Sequence, residues 1–315
     1  MNSIANYIKQ IESELSNFEL PNSPENLYDP LRYFFELGGK RLRPALTLMT
    51  AENFSAKGKN ALHAAMAIEL FHNFSLIHDD IMDEAPFRRG KETVHTKWNN
   101  HIAILSGDVL FVKAYESLAK CDIKYLPELL NLFNKTATEV CEGQQMDMDF
   151  ESRESVSEEE YIEMIRLKTS VLLGCAIQFG GIVSDLDAKM QQALYDFGQY
   201  IGIAFQIKDD LLDLYGESAK VGKQIGGDVL SNKKTLLNIK ARELGCDMIQ
   251  LSSIIEPNER VRSAQQIFKD FGAKESAEKK MEAYYNDAIR SLEALPEIQK
   301  DLFKSFATYL IERAS

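Results

Sequence analysis

The chain has 315 residues, 27% of them charged and 45% apolar, with a formal net charge of −12. That length is ample for a large buried core, while the acidic balance excludes a general nucleic-acid role, because phosphate backbones demand a basic surface. The four cysteines (Cys121, Cys141, Cys175 and Cys246) form no CxxC pair, which excludes zinc-finger and disulfide-scaffold readings and predicts reduced thiols in a cytoplasmic protein.

Residues 3–16 repeat apolar positions at Ile4, Tyr7, Ile8, Ile11 and Leu15, which is a helix period. The same segment carries acidic residues and lacks a signal peptide's apolar core. Further helices are predicted near 28–37, 43–54, 58–83, 101–119, 126–149, 158–183, 187–215, 233–245, 259–271, 275–293 and 298–312. The stretches LPNSPEN, SAKGK, EAPFRRGKE, KCDIKYLP and YGESAKVGKQIGGD read as turns between them. No alternating strands, no short fixed repeat and no interdomain linker are legible. The expectation is an all-α fold in a single domain over residues 1–315. No apolar run approaches the roughly 20 residues of a bilayer span, so no transmembrane segment is expected. The charge-rich EKKMEAYYNDAIRSLEAL reads as an ordinary solvated helix.

The end of the 58–83 segment reads IHDDIMDEAPFRRG. Asp79 and Asp83 are one helical turn apart with Asp80 beside them, and like charges so spaced destabilise a helix by roughly 0.2–0.5 kcal/mol per pair. The pattern recurs in FQIKDDLLD, where Asp209, Asp210 and Asp213 repeat the spacing. One such cluster is readily a solvated helix end; two on long apolar helices are not. Stepping back by turns from Asp83 gives Asp79, Ser75 and Phe71, and from Asp213 gives Asp209, Phe205 and Ile201. Each acidic tip thus continues into small or apolar residues. The pattern suits a ligand with an anionic head bridged by metal and a hydrocarbon tail. Oxygen-only ligation favours a hard cation, and Mg²⁺ takes few carboxylates together with substrate phosphates. No EF-hand spacing supports calcium storage.

A diphosphate also needs fixed positive charge. GGKRLRP at 38–44 places three basic side chains in four positions, and Arg88 and Arg89 follow the first acidic cluster. Lys168 and Thr169 lie in a predicted helix and Lys223 ends GESAKVGK. That loop is no Walker motif: five residues separate Gly216 from Gly222, and Gln224 follows Lys223. His72 lies two turns before Asp79 on roughly the same face.

Taken in order, GGKRLRP, HDDIMDEAPFRRG, RLKTS, FQIKDDLLD and GKQIGGDVLSNKKT resemble the trans-isoprenyl diphosphate synthases. The resemblance implies an isoprenoid synthase-type bundle of long antiparallel helices around a central cavity, and a homodimer. It assigns Lys40, Arg43, His72 and Arg89 to the diphosphate of isopentenyl diphosphate. It makes Asp79, Asp83 and Asp209 ligands of three Mg²⁺ ions, with Asp80 and Asp213 close by. Arg88, Lys168, Lys223 and Lys233 would contact the allylic diphosphate, Thr169 and Gln206 would face the developing allylic cation, and Gln144 with Asp147 would support the metal site. The implied reaction is Mg²⁺-assisted ionisation of an allylic diphosphate, attack by isopentenyl diphosphate, and proton loss to the released diphosphate.

In that family product length is linked to the residues four and five places before the first aspartate, here Ser75 and Phe74. Ser75 lies directly below Asp79, whereas Phe74 is offset by about 140°, so Phe71 shares the candidate floor. An aromatic at Phe74 implies geranylgeranyl diphosphate; farnesyl diphosphate and longer polyprenyl products are the alternatives. A terpene cyclase would lack the second DDxxD and the GGKRLRP pocket, and a non-catalytic partner subunit would lack an acidic cluster.

Overall fold

Apolar residues at three- and four-residue spacing bury one stripe of a helix, and the chain is helical nearly throughout. The computed structural model describes residues 4–56, 59–216 and 225–313. Helices α1 (Ile4–Ser16), α2 (Glu25–Glu36), α3 (Leu42–Asn53) and α4 (Asn60–Met82) lead to a hairpin of β1 (Phe87–Arg88) and β2 (Lys91–Glu92). Then come α5 (Val94–Lys97), α6 (Asn100–Leu118), α7 (Leu126–Ser152) and α8 (Glu158–Ile165), a π turn (Arg166–Ser170), α9 (Val171–Ile182) and α10 (Ala188–Tyr215). The chain closes with α11 (Gly227–Leu230), α12 (Leu236–Glu243), α13 (Met248–Ser252), α14 (Pro257–Asp270), α15 (Ala273–Ser291), a 3₁₀ turn (Leu292–Ala294) and α16 (Glu297–Arg313).

Two compact units interleave in sequence: Met1–Asn134 with Cys175–Gln191, and Lys135–Gly174 with Gln192–Ser315. In the first, α4 packs along α6 and α3, and α1 packs on α3. Residues 64–71 of α4 are all buried, as an all-round apolar helix requires, and Leu31, Phe34, Leu46, Ile68 and Phe71 form the heart of this core. In the second unit, Tyr161, Ile207, Leu211, Leu236 and Phe268 belong to one apolar cluster, with α12 packed against α8 and α15.

Three features depart from the sequence reading. EAPFRRGKE holds a two-stranded hairpin with Phe87 opposite Glu92 and Arg88 opposite Lys91. The expected single helix over 158–183 is interrupted by the π turn. That same stretch, Glu158–Ile182, also passes the length and composition test for a membrane span that no run was expected to meet, but 78% of its apolar window is buried inside the protein. None of the four cysteines forms a disulfide.

Candidate active site

Asp79 and Asp80 lie in the last turn of α4 in the first unit and Asp83 is its C-cap, its amide donating to the Asp79 carbonyl at 2.8 Å. Asp80 is buried and is gripped by Arg88, whose Nε donates to both carboxylate oxygens at 3.0 and 2.8 Å and whose Nη2 donates at 2.8 Å. Burial pushes the Asp80 carboxyl up, against the pull of Arg88. Asp79 is half-buried and Asp83 is exposed.

The hairpin explains how two adjacent arginines reach different places. Arg89 and Gly90 have φ of 54° and 76°, which with the two-residue loop makes a type I′ turn. A non-glycine residue there costs about 1 kcal/mol. Arg88 turns to Asp80, while the Arg89 guanidinium lies against Gly39, where an added β-carbon would meet it at 3.0 Å. The hydroxyl of Tyr33 donates to the Glu92 carbonyl at 2.8 Å and tethers the hairpin.

Arg41 and Arg43 separate into structural and available cations. Arg41 is buried and donates to Glu12 at 2.8 Å, Glu69 at 2.5 Å and the Phe35 carbonyl at 3.3 Å. Arg43 Nη1 stands 3.2 Å from His72 Nε2, and Arg43 Nε is buried without a hydrogen-bond partner. Burial, then Arg43, Arg88, Arg89 and Arg41, hold His72 well below its ordinary pKa, so at neutral pH its Nε2 accepts from Arg43. Lys40 is exposed in the same loop. Ser75 Oγ donates to the His72 carbonyl at 2.9 Å, and Phe71 lies behind Phe74 with ring centroids 5.5 Å apart.

A cavity of about 600 Å³ in the second unit is lined by Asp147, Lys168, Thr169, Gln206, Asp209 and Lys233, with Asp210, Asp213 and Asp228 also on its wall. The π turn aims Lys168 and Thr169 into it, and Lys168 Nζ pairs with Asp147 at 2.5 Å. Such insertions in helices concentrate at functional sites. The turn fits closely against α7 because residue 143 is glycine; a β-carbon there would lie 2.2 Å from the Lys168 nitrogen. Beside it, Gln144 is buried with both ends of its amide unpartnered.

The α10 carboxylates are held differently. Burial pushes Asp210 up to about 7, despite hydrogen bonds from the Tyr161 hydroxyl and from Gln206 Nε2. Asp213 accepts from the Asp228 amide at 3.0 Å, in the first turn of α11. Asp209 remains exposed. A neighbouring cavity of about 620 Å³, lined by residues such as Arg242, Met248 and Leu251, contains neither acidic motif. Volume alone therefore does not mark the site.

The polyprenyl synthetase family model matches residues 24–271. The geranylgeranyl pyrophosphate synthase of Geoglobus acetivorans is 40% identical over 309 residues, covering 97% of this chain and 96% of its own. The chain belongs to the polyprenyl synthetase family. A crystal structure of a geranylgeranyl pyrophosphate synthase superposes on this synthase with TM-score 0.94 and 41% identity over 100% of both chains, so the all-α fold is the isoprenoid synthase fold. The geranylfarnesyl diphosphate synthase of Natronomonas pharaonis is 37% identical over 97% of this chain and 96% of its own. The family's enzymes are trans-prenyltransferases using isopentenyl and allylic diphosphates, and this synthase is one of them.

The sequence-derived residues fall into two groups. Arg43 and Arg89 stand with His72 in one unit, Lys40 is exposed in the loop before α3, and the cavity in the other unit holds Asp147, Lys168, Thr169, Gln206, Asp209, Asp213 and Lys233. Lys223 lies outside the described residues. Sequence reasoning missed Tyr161, Asp210 and Asp228 as parts of the polar site, and Arg41 with Glu69 as its internal support. Asp210 and Asp228 stood inside quoted motifs, whereas Tyr161 gave no signal, since an aromatic early in a helix reads as core.

The donor set fits magnesium. Among the described residues no three His, Cys, Asp or Glu side chains form a ready-made cage. Mg²⁺ takes hard oxygen donors, keeps several waters and binds through one or two carboxylates plus substrate phosphates, and Asp79, Asp83 and Asp209 are such donors. The unpartnered Arg43 Nε and Gln144 amide are buried donors of the kind an oxyanion or hydrated ion satisfies.

Proposed function

We propose that this synthase condenses isopentenyl diphosphate with allylic diphosphates to make all-trans geranylgeranyl diphosphate, working as one catalytic domain with Mg²⁺. The observation that carries this reading is the 600 Å³ cavity in which Lys168, Thr169 and Gln206 meet Asp209. A cation, a hydroxyl and an amide oxygen beside a carboxylate are what an ionising allylic diphosphate requires: the leaving group is neutralised, and the developing cation meets oxygen dipoles.

In this reading Asp79, Asp83 and Asp209 hold Mg²⁺, three ions in all, with Asp80 and Asp213 fixing the motifs and Gln144 with Asp147 supporting them. When bound, Mg²⁺ supplies Lewis-acid neutralisation of the departing diphosphate. Lys168, Lys233 and Arg88 bind the allylic diphosphate; Lys40, Arg43, His72 and Arg89 bind that of isopentenyl diphosphate. The neutral His72 adds a hydrogen bond without adding a charge to an already cationic pocket. Thr169 and Gln206 orient their oxygens toward the allylic carbon. Apolar walls exclude water that would quench the cation. The released diphosphate takes the proton, so no side chain is assigned as general base.

Phe74 supports a twenty-carbon product, and farnesyl or longer products are the alternatives, since relatives of similar identity carry both geranylgeranyl and geranylfarnesyl names. The exposed Ile104, Leu105 and Val112 of α6 support a homodimer. Both acidic motifs are intact, which argues against a non-catalytic partner subunit. Asp79→Ala and Asp209→Ala should each lower turnover at least about a hundredfold with unchanged circular dichroism. Near-normal rates in either variant would overturn the metal assignment.

A further inference from the structure

Tyr161 of α8 is buried, its ring packed in the apolar cluster of the second unit. Its hydroxyl crosses to α10 and donates to Asp210 Oδ2, while Asp210 Oδ1 accepts from Gln206 Nε2 at 3.3 Å. Gln206 stands one turn before Asp210 on α10 and lines the cavity together with Thr169. A carboxylate only accepts, so it selects the nitrogen end of the neighbouring amide. With Nε2 turned to Asp210, Oε1 is the end of Gln206 that remains for the cavity. A swinging Asp210 would let the amide turn over and present N–H dipoles instead. Tyr161 removes that freedom by holding Oδ2 from another helix.

The same bond helps to set the spacing of two helices. Gly202, Gln206 and Asp210 follow one another at single turns along one face of α10. Gly202 lies against the end of the π turn, where an added β-carbon would be 2.9 Å from the Ser170 α-carbon. Close backbone packing at Gly202 and the Tyr161 hydrogen bond at Asp210 thus hold α10 to α8 and its π turn at two points. Gln206 sits between those points, and Thr169 is the neighbour of Ser170.

We infer that Tyr161 is a positioning residue for prenyl transfer: acting through Asp210, it fixes the Gln206 amide with its oxygen toward the cavity. The inference rests on the prenyl-transfer reading above. An amide turned over would aim the positive end of its dipole at the developing allylic cation and raise the barrier to ionisation. Binding of the two diphosphates depends on the cations and the metal, so it is left nearly unchanged. Tyr161 therefore contributes to kcat rather than to KM.

The test is a double-mutant cycle read by steady-state kinetics with farnesyl and isopentenyl diphosphates. It compares wild type, Tyr161→Phe, Gln206→Leu and the double variant at saturating Mg²⁺ and pH 8, where Asp210 is a carboxylate. Phenylalanine keeps the packing of the ring, so circular dichroism should be unchanged. Tyr161→Phe should lower kcat about tenfold with both KM values within about twofold of wild type. In Gln206→Leu there is no amide to turn, so adding Tyr161→Phe should change kcat by less than about twofold. Such non-additivity marks residues that act through one another and is not produced by a general loss of packing. A wild-type kcat in Tyr161→Phe, a rise in KM at unchanged kcat, or equal losses in both backgrounds would each overturn the inference. A wild-type protein that makes no prenyl diphosphate overturns the parent reading and this inference with it.

Discussion

Arg41 and Arg43 are two residues apart in GGKRLRP and sit in opposite surroundings, Arg41 fully engaged by acceptors and Arg43 with a buried Nε that has no hydrogen-bond partner. Arg41 places its donors on Glu12, Glu69 and a carbonyl inside the protein, and removing one member of such a buried pair costs about 3–5 kcal/mol. Arg41→Met should therefore lower the urea unfolding free energy by about that amount. Arg43→Met should change stability by less than about 1 kcal/mol, yet raise KM for isopentenyl diphosphate about ten- to a hundredfold, the worth of a charge-assisted hydrogen bond. Equal destabilisation by both would contradict the division. The family resemblance singled out Arg43, but the spacing could not show what Arg41 does, because three basic residues in four positions say nothing of which one turns inward.

Asp210 gives the same scale a pH dependence. The folded protein keeps its proton up to about pH 7, whereas an unfolded chain releases it near pH 4. The native state therefore binds more protons in that window. The stability contributed is complete below about pH 4 and is lost as pH rises through about 7. In protein stripped of divalent metal, Asp210→Asn should flatten the fall in Tm between pH 5 and pH 8.5, and identical slopes would remove Asp210 as its source.

At the level of elements, the π turn is what delivers Lys168 and Thr169 to the cavity, and Gly143 is what lets it sit there. A methyl at 143 would collide with backbone at Lys168 and Leu167, which cannot rotate aside. Gly143→Ala should cost about 1–3 kcal/mol and lower kcat more than any surface substitution on α7; a variant with wild-type turnover would mean that the turn's position is unimportant. The long helices were legible because apolar residues recur at three and four over many turns. The π turn was not, since one inserted residue barely disturbs that period. The β1–β2 hairpin was hidden for another reason: strands of two residues carry no alternation, and its turn puts Arg89, not the usual asparagine, at positive φ. The acidic motifs stood out because repeated carboxylates on an apolar helix are unfavourable unless something binds them. The Tyr161 contact to Asp210 depends on packing between helices, which no single-helix pattern contains.

Across the whole chain, the proposed binding of two diphosphates by a protein of net charge −12 rests on concentrated cations: Arg43, Arg88 and Arg89 beside His72 in one unit, and Lys168 and Lys233 beside Asp209 in the other. Reaction class follows from these charges and from the family. Product length is the finer question, since relatives of similar identity carry both geranylgeranyl and geranylfarnesyl names. The most direct measurement is the mass of the product made by the purified wild-type protein from Mg²⁺, isopentenyl diphosphate and each of dimethylallyl, geranyl and farnesyl diphosphate. A single twenty-carbon diphosphate from every primer, abolished by chelation, is the expected result. Folded protein that condenses none of them would contradict the account.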